Sequence, residues 1–474
     1  MQLIANFIEV LYMKTNKIVK RCCKFLNTMM DGNWSEPALI NVVNAKLTYM
    51  LSLGGAKFRQ YTNGNDIILS YYGINFLPSG WGKDRVPNLI NQNLINFTQD
   101  YMEKVIKDYK EEYEQQEEFK IRQLDKKQQK QAEFELQQKI NNFRYLNTEI
   151  HDATVLGLYA DAEIISRIGK GSLFLRIEEL GDYIDGITTG NKQKKELFEK
   201  LKEISDGRFT ATTISGDNKR KTLNNIPVSA LLYSDFENFK TTRNREYLNK
   251  MLRTGISRRS FIFMEEIKPV NQAIPSFEKQ RALTEAQQLS EEIRNIFNNI
   301  QPNAYLMSEE AHARIDRYKN ECIDKYNEEV AQKNITIQGL DIKESWWKIL
   351  KLGVVYHILN EPHNILIRES DIEEAIDFYK NICGSFKILK DTHADSAAEK
   401  MIKYIIETDK NTLKMGDLRS RKFVGDVQFK KWFDEIIEDV QEKLRTEHSI
   451  ELTIEGKRLI KKQLPKKGVD TLEL

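Results

Sequence analysis

An α/β fold with a largely parallel sheet is predicted for this chain, and three observations predict it. Short apolar runs at 71–76, 172–177 and 227–233 have the length and aliphatic or aromatic character of buried strands. Helix-forming segments lie between them, and that alternation builds layered α/β cores. The first two runs end in turns rich in glycine or acid, where such sheets carry polar groups.

Bulk properties narrow the class. A chain of 474 residues exceeds one modest core and suggests two to four domains. Lys+Arg 72 against Asp+Glu 70 leaves a net charge of +2, so any nucleic-acid surface must be local. Cys22, Cys23, Cys322 and Cys383 form no C-x-x-C pair, which supports neither a zinc site nor a disulfide framework and fits a reducing compartment. No apolar run approaches the ~20 residues that span a bilayer. In the moderately apolar stretch Leu3 to Met13 the positive charges follow rather than precede. That order is wrong for a signal peptide. It is expected to form an amphipathic helix on the body of a cytoplasmic protein without a membrane partner.

In chain order, residues up to about Leu53 read as two helices, the second with a helical stripe at Leu39, Val42, Val43, Leu47, Met50 and Leu51. Asn63-Gly64 marks a hairpin between Phe58–Thr62 and Asp66–Tyr71. Tyr101 to Asn142 is dense in Lys, Glu and Gln and reads as a solvated helix or helical hairpin. An extended piece at Arg144–Asn147 and helices at 153–168 and 192–204 follow. Phe209–Ile214 and Thr222–Ile226 form a further hairpin pattern. Beyond Pro275 the chain is expected to be helical, with capping boxes at Thr284-x-x-Gln287 and Ser370-x-x-Glu373. The last segment reads helix, Thr412-Leu413, helix, helix, strand, a winged-helix pattern.

The chemistry begins where the first run ends. Pro78, Ser79, Gly80, Trp81, Gly82, Lys83 and Asp84 form a glycine-bearing turn between a strand and a helix. Glycines let backbone N–H groups face phosphates, the helix dipole favours anions, and a lysine reaches the terminal phosphates. The match to the phosphate-loop pattern is partial, since Leu77 stands at the first glycine position and Asp84 replaces the hydroxyl that meets Mg²⁺. An ordinary strand-to-helix turn is the competing reading. Glu178-Glu179 leave the second run, as a metal-holding acid and a water-orienting carboxylate would. Lys219, Arg220 and Lys221 stand at the tip of the later hairpin, where three cations can meet successive phosphates of a nucleic-acid strand. Arg258-Arg259 precede an apolar run and are candidates for an inter-subunit arginine finger. Lys414, Arg419, Arg421, Lys422, Lys430 and Lys431, then Arg458, Lys461 and Lys462, spread cations through the C-terminal segment. A solvated surface is the alternative for each cluster.

The order of these segments resembles the AAA+-like helicase domain of phage and mobile-element primase–helicase proteins. The likeness rests on PSGWGKDR (Pro78–Arg85), HDATVLGLYAD (His151–Asp161), LFLRIEELGDYI (Leu173–Ile184), FEKLKEISDGRFTATT, SALLYSDF, GISRRSFIF and WWKILKLGVVYHIL, over about Tyr61 to Cys383. The resemblance implies a P-loop ATPase using ATP and Mg²⁺, a ring-forming homo-oligomer with the hexamer as one such assembly, moving on single-stranded or duplex DNA among other replication proteins. It implies Lys83 on the phosphates, Asp84 and Glu178 at the metal, Glu179 as the catalytic acid, Ser234 as a sensor, Arg258 or Arg259 as the finger and Lys351 as a lid cation. It also implies a pore hairpin at Lys219–Lys221. A primase half is not expected. A non-hydrolysing initiator or helicase loader is the alternative. The expected divisions are 1–56 (N-terminal helices), 57–268 (core, with the insertion at about 100–143), 269–395 (helical lid) and 396–474 (winged-helix-like unit).

Overall fold

The structure is a computed structural model that describes residues 15–60, 64–78, 80–142, 149–151, 154–181, 183, 191–210, 222–235, 255–265, 269–332, 337–383, 385, 397–408, 410–420, 449–456 and 458–464, with single positions between 433 and 445. It divides into two compact units, Met1–Phe239 with Glu246–Ile388, and Lys240–Arg245 with Leu389–Leu474.

The first unit opens with α1 (Lys17–Met29), capped by the Asn16 side chain, which accepts from the Ile18 and Val19 amides. Helix α2 (Glu36–Leu53) is not the one-sided helix its stripe predicts. It is buried around almost its whole circumference, Asn41, Asn44 and Lys46 included, because it packs on β-strands and helices alike. Strands β1 (Lys57–Arg59) and β2 (Asp66–Ile68) form the predicted antiparallel hairpin. Next come β3 (Tyr72–Leu77), α3 (Arg85–Asn93), α4 (Phe97–Ile121) and α5 (Lys126–Asn142). The charged insertion is thus a helical hairpin with a small core of Ile121, Leu136 and Ile140.

The rest of the sheet follows: β4 (Glu149–His151), α6 (Val155–Ile168), β5 (Leu173–Ile177), α7 (Lys192–Ser205), β6 (Val228–Asp235) and β7 (Ser260–Met264). The five strands run in the order β4-β5-β6-β3-β7, every neighbouring pair parallel. Both faces are covered, so β3, β5, β6 and β7 are buried at every residue. Residues 144–147, expected to be extended, lie outside the described residues. Of the hairpin near 209–226, the Phe209–Leu223 bridge is described, and Lys219, Arg220 and Lys221 are not.

Helices α8 (Ser276–Asn298), α9 (Glu309–Ala331), α10 (Ile337–Asn360) and α11 (Glu369–Cys383) complete the unit, with short β8 (Leu306–Met307) and β9 (Leu366–Ile367) paired in parallel. Helix α8 begins at Ser276, not at Thr284. No backbone break precedes Thr284, whose hydroxyl donates back to the Gln280 carbonyl. Ser370 likewise lies within the first turn of α11 rather than before it. The divisions expected at 56/57 and 268/269 fall inside this unit, because α2 packs on β3, β6 and β7 and α10 packs on α2.

The second unit has α12 (Ala397–Glu407), β10 (Thr412–Lys414), α13 (Met415–Ser420), β11 (Ile450–Glu455) and β12 (Arg458–Gln463). Its antiparallel sheet runs β10-β12-β11 over a core that includes Met401, Ile405, Leu413, Leu418, Val440 and Leu459. Lys461 is not a solvated cation there. Its ammonium donates to the carbonyls of Ile405, Ile406 and Thr408 and so closes the carboxyl end of α12. Among the described residues no helix is long and apolar enough to cross a membrane.

Candidate functional site

In open parallel sheets the groups that meet ligands gather beyond the carboxyl ends of the strands. Here β3 delivers the glycine turn to that edge, β5 delivers Glu178 and Glu179, and β6 ends on Ser234 and Asp235. The register sets Phe76 beside Ser234 and Leu77 beside Asp235. The turn is shaped by Gly80 and Gly82, whose φ values of 80° and 65° lie in the left-handed region. A Cβ on Gly82 would stand 3.2 Å from the Met30 Cε. Pro78 and Trp81 are buried, and the Trp34 indole donates to the Trp81 carbonyl at 2.7 Å. The Arg85 amide donates to the Gly82 carbonyl at 3.0 Å as α3 begins. Ser79 lies outside the described residues.

Lys83 is half-buried beyond this turn. Burial pulls its ammonium below the usual lysine range, against the charges of Glu179 and Asp235, which favour it. Lysine, glycine turn and two carboxylates therefore share one edge. Asp84 occupies the N-cap position of α3, but its side chain caps no amide. The cleft along the turn, lined in part by Gly80, Trp81, Gly82 and Arg85, holds about 160 Å³. That volume is below the 300–1,000 Å³ common for whole-ligand pockets, and Lys83, Glu179 and Asp235 do not border it.

A buried guanidinium braces the edge from beneath. Arg176, 2% exposed inside β5, donates to the Asp84 carbonyl at 3.2 Å and to the Asn88 side chain at 2.9 Å. It pairs with Glu178 at 2.5 Å and Glu149 at 3.5 Å. Glu149 in turn accepts from Lys46 at 2.8 Å and Asn91 at 2.6 Å. Burial pulls Lys46 down to about 8. Burial pushes the Glu149 carboxyl up, but Lys46, Asn91 and Arg176 outweigh it and hold the group below the usual range. The network ties α2, α3, β4 and β5 together under the turn. Sequence reasoning missed Arg176, Glu149 and Lys46. Their signal was a lone charge inside an apolar run, LFLRI for Arg176 and NAKLTYML for Lys46.

Of the remaining candidates Ser234 lies at this same edge and the others do not. Ser234 is buried and its hydroxyl donates to the neighbouring Asp235 carbonyl at 3.3 Å. Arg258 and Arg259 precede β7, and the Lys351 ammonium donates at 2.8 Å to Ser70, which precedes β3. These three cations belong to the amino edge of the sheet. The six residues of β3 separate that edge from Lys83 by roughly 20 Å. Lys351 therefore does not join the glycine turn of its own chain. Arg259 is held by Asp206 at 2.7 Å and by the Gly255 carbonyl at 3.2 Å, whereas Arg258 meets Glu344 only at 3.7 Å. Among the described residues no three side chains are grouped to hold a metal ion.

Fold and site together define an α/β protein whose parallel sheet carries a lysine–carboxylate cluster at its carboxyl edge. No protein-family model matches the chain, and no curated protein is significantly similar to it.

Proposed function

We propose that this chain is an ATP-driven DNA helicase or translocase of phage or mobile-element replication, working as a ring. One observation carries the reading. A glycine turn, Lys83 and the strand-end carboxylates Glu179 and Asp235 meet at the carboxyl edge of a parallel sheet, the arrangement that phosphoryl transfer from a nucleotide uses. Lys83 and the turn amides hold phosphate, and Glu179 orients the attacking water. Arg258, on the opposite edge and half-exposed, is the better placed of the arginine pair to reach another subunit's nucleotide. Among the described residues of the second unit, the order helix, strand, helix, strand, strand with the last strand central in the sheet supports a winged-helix-like, DNA-binding reading.

The donor set fits phosphate better than it fits metal. Glu178 is engaged by Arg176, so its carboxylate fits poorly as a Mg²⁺ ligand, and Asp84 and Asp235 are the acids at that edge suited to meet an ion carried in by phosphates. Mg²⁺ would neutralise charge on the transferring phosphoryl group. The engagement of Glu178 also favours a second reading, a nucleotide-binding initiator or loader without turnover.

DNA-stimulated ATPase and nucleotide binding decide between them. The helicase reading expects hydrolysis in the wild type, its loss in Glu179→Gln with binding kept, and loss of binding in Lys83→Ala. Binding without hydrolysis in the wild type selects the loader. Unchanged binding in Lys83→Ala removes the turn from both.

A further inference from the structure

At the amino edge of the sheet lies a pocket of about 400 Å³, bordered by Asp206, Arg258, Arg259, Trp346, Trp347 and Lys351 among others. Its size falls in the range that encloses a small organic ligand. The acids around it are already answered. Arg259 holds Asp206, Lys57 and Arg59 hold Asp66 at 2.7 and 3.0 Å, and Glu344 faces Arg258.

Lys351 is different. It is 8% exposed, donates to the Ser70 hydroxyl, and forms no ion pair with a carboxylate among the described residues. A buried ammonium with three donors and one neutral acceptor lacks what ordinarily retains such a charge. The two tryptophans pack edge to face at 5.4 Å, and the Lys351 ammonium lies 5.8 Å from the Trp347 ring. A pocket that joins a buried cation held by no ion pair among the described residues, favoured only at a distance by Asp206, with a loosely paired arginine and indole rings has the recognition elements of a phosphate attached to a planar base.

We propose that this pocket binds a nucleoside phosphate, with the phosphate on Lys351 and Arg258 and the base against the tryptophan pair. The site is separate from the glycine turn and complete within one chain, and a phosphate bound here takes the Arg258 guanidinium that the finger reading sends to another subunit. A free nucleotide and one nucleotide of a single strand offer the same chemistry.

Tryptophan fluorescence of the full chain carrying Lys83→Ala, which disables the turn in every copy, tests the site on its own. Titration with AMP and with a hexathymidylate should give saturable quenching with at least one of them. Saturation by AMP marks a free nucleotide, and saturation by the oligonucleotide alone marks a strand. Adding Lys351→Met or Arg258→Gln should weaken that binding at least about tenfold. Arg258 is half-exposed, so its variant keeps the test valid if the lysine variant folds poorly. Three results overturn the proposal: no saturation by either probe, equal affinity in both variants, or inorganic phosphate binding as tightly as AMP. None of these touches the reading of Lys83.

Discussion

The two edges of the parallel sheet carry similar charges and treat them in opposite ways. At the carboxyl edge Arg176 and Lys46 are buried and Glu149 is half-buried, but each meets partners within the protein, and together they fix the backbone of the turn that presents Lys83. At the amino edge Lys351 is buried with a hydroxyl and no carboxylate partner among the described residues. Buried charges answered within the fold act on geometry. A buried charge held by no ion pair lowers stability and has its use in what it can attract.

The sharpest way to break this contrast is Arg176→Met. Removing one member of a buried ionic network strands the others, so urea unfolding should show a loss of about 3–5 kcal/mol. A loss below about 1 kcal/mol would mean that Glu149 and Glu178 find water or other donors, and the brace would be no brace.

Lys351→Met should act with the opposite sign. Burial pulls Lys351 down to about 8 from its ordinary 10.5. Between those pH values the unfolded chain holds a proton that the folded chain has lost, so this group makes stability rise as pH increases. Below pH 8 the buried charge is a full penalty. Urea melts at pH 7 should therefore find the methionine variant more stable than wild type, on the order of 3 kcal/mol, and the gap should close toward pH 10.5. A variant less stable than wild type at pH 7 would show that Lys351 is answered after all.

The smallest effect is expected at the turn itself. Gly82→Ala forces a Cβ into the left-handed region, which costs about 1–2 kcal/mol. The Met30 methyl 3.2 Å away is the end of a flexible chain and can yield. Thermal melting should register the loss. A neutral result would show that the turn readily takes another path, and would weaken the case that it is pre-shaped for an anion.

Much of the sheet was legible because β3, β5 and β6 are short apolar runs with polar exits, and a strand buried on both faces has that signature. The same signature made Lys83, Glu178 and Glu179 readable as strand-end groups. What was hidden depended on distance in sequence. Asp206 meets Arg259 across 53 positions and Lys351 meets Ser70 across 281, and no local pattern reports either. The start of α8 was misread for a different reason. A Thr-x-x-Gln pattern inside a continuous helix looks like a cap, and only the absence of a chain break, set by packing, separates the two. Lys461 looked like a surface cation because a helix end that needs closing lies more than fifty residues earlier.

The small strand pair β8–β9 has a consequence for how the first unit comes apart. Tyr305 exchanges hydrogen bonds with the β1 backbone, accepting from Arg59 and donating to Lys57, and the next residues donate to the carbonyls of Ile365 and Ile367. The Tyr305 hydroxyl closes the loop on the Pro362 carbonyl at 2.8 Å. This stitch joins the chain before α9 to the chain after α10, and both to the hairpin that precedes the central strand. The α9–α10 helices are therefore clasped at their base. In hydrogen-exchange terms, the amides of Arg59 and Tyr305 report the hairpin side of this clasp and those of Leu306 and Ser308 the helix side, and equal protection of all four would show that the two sides open as one cooperative event.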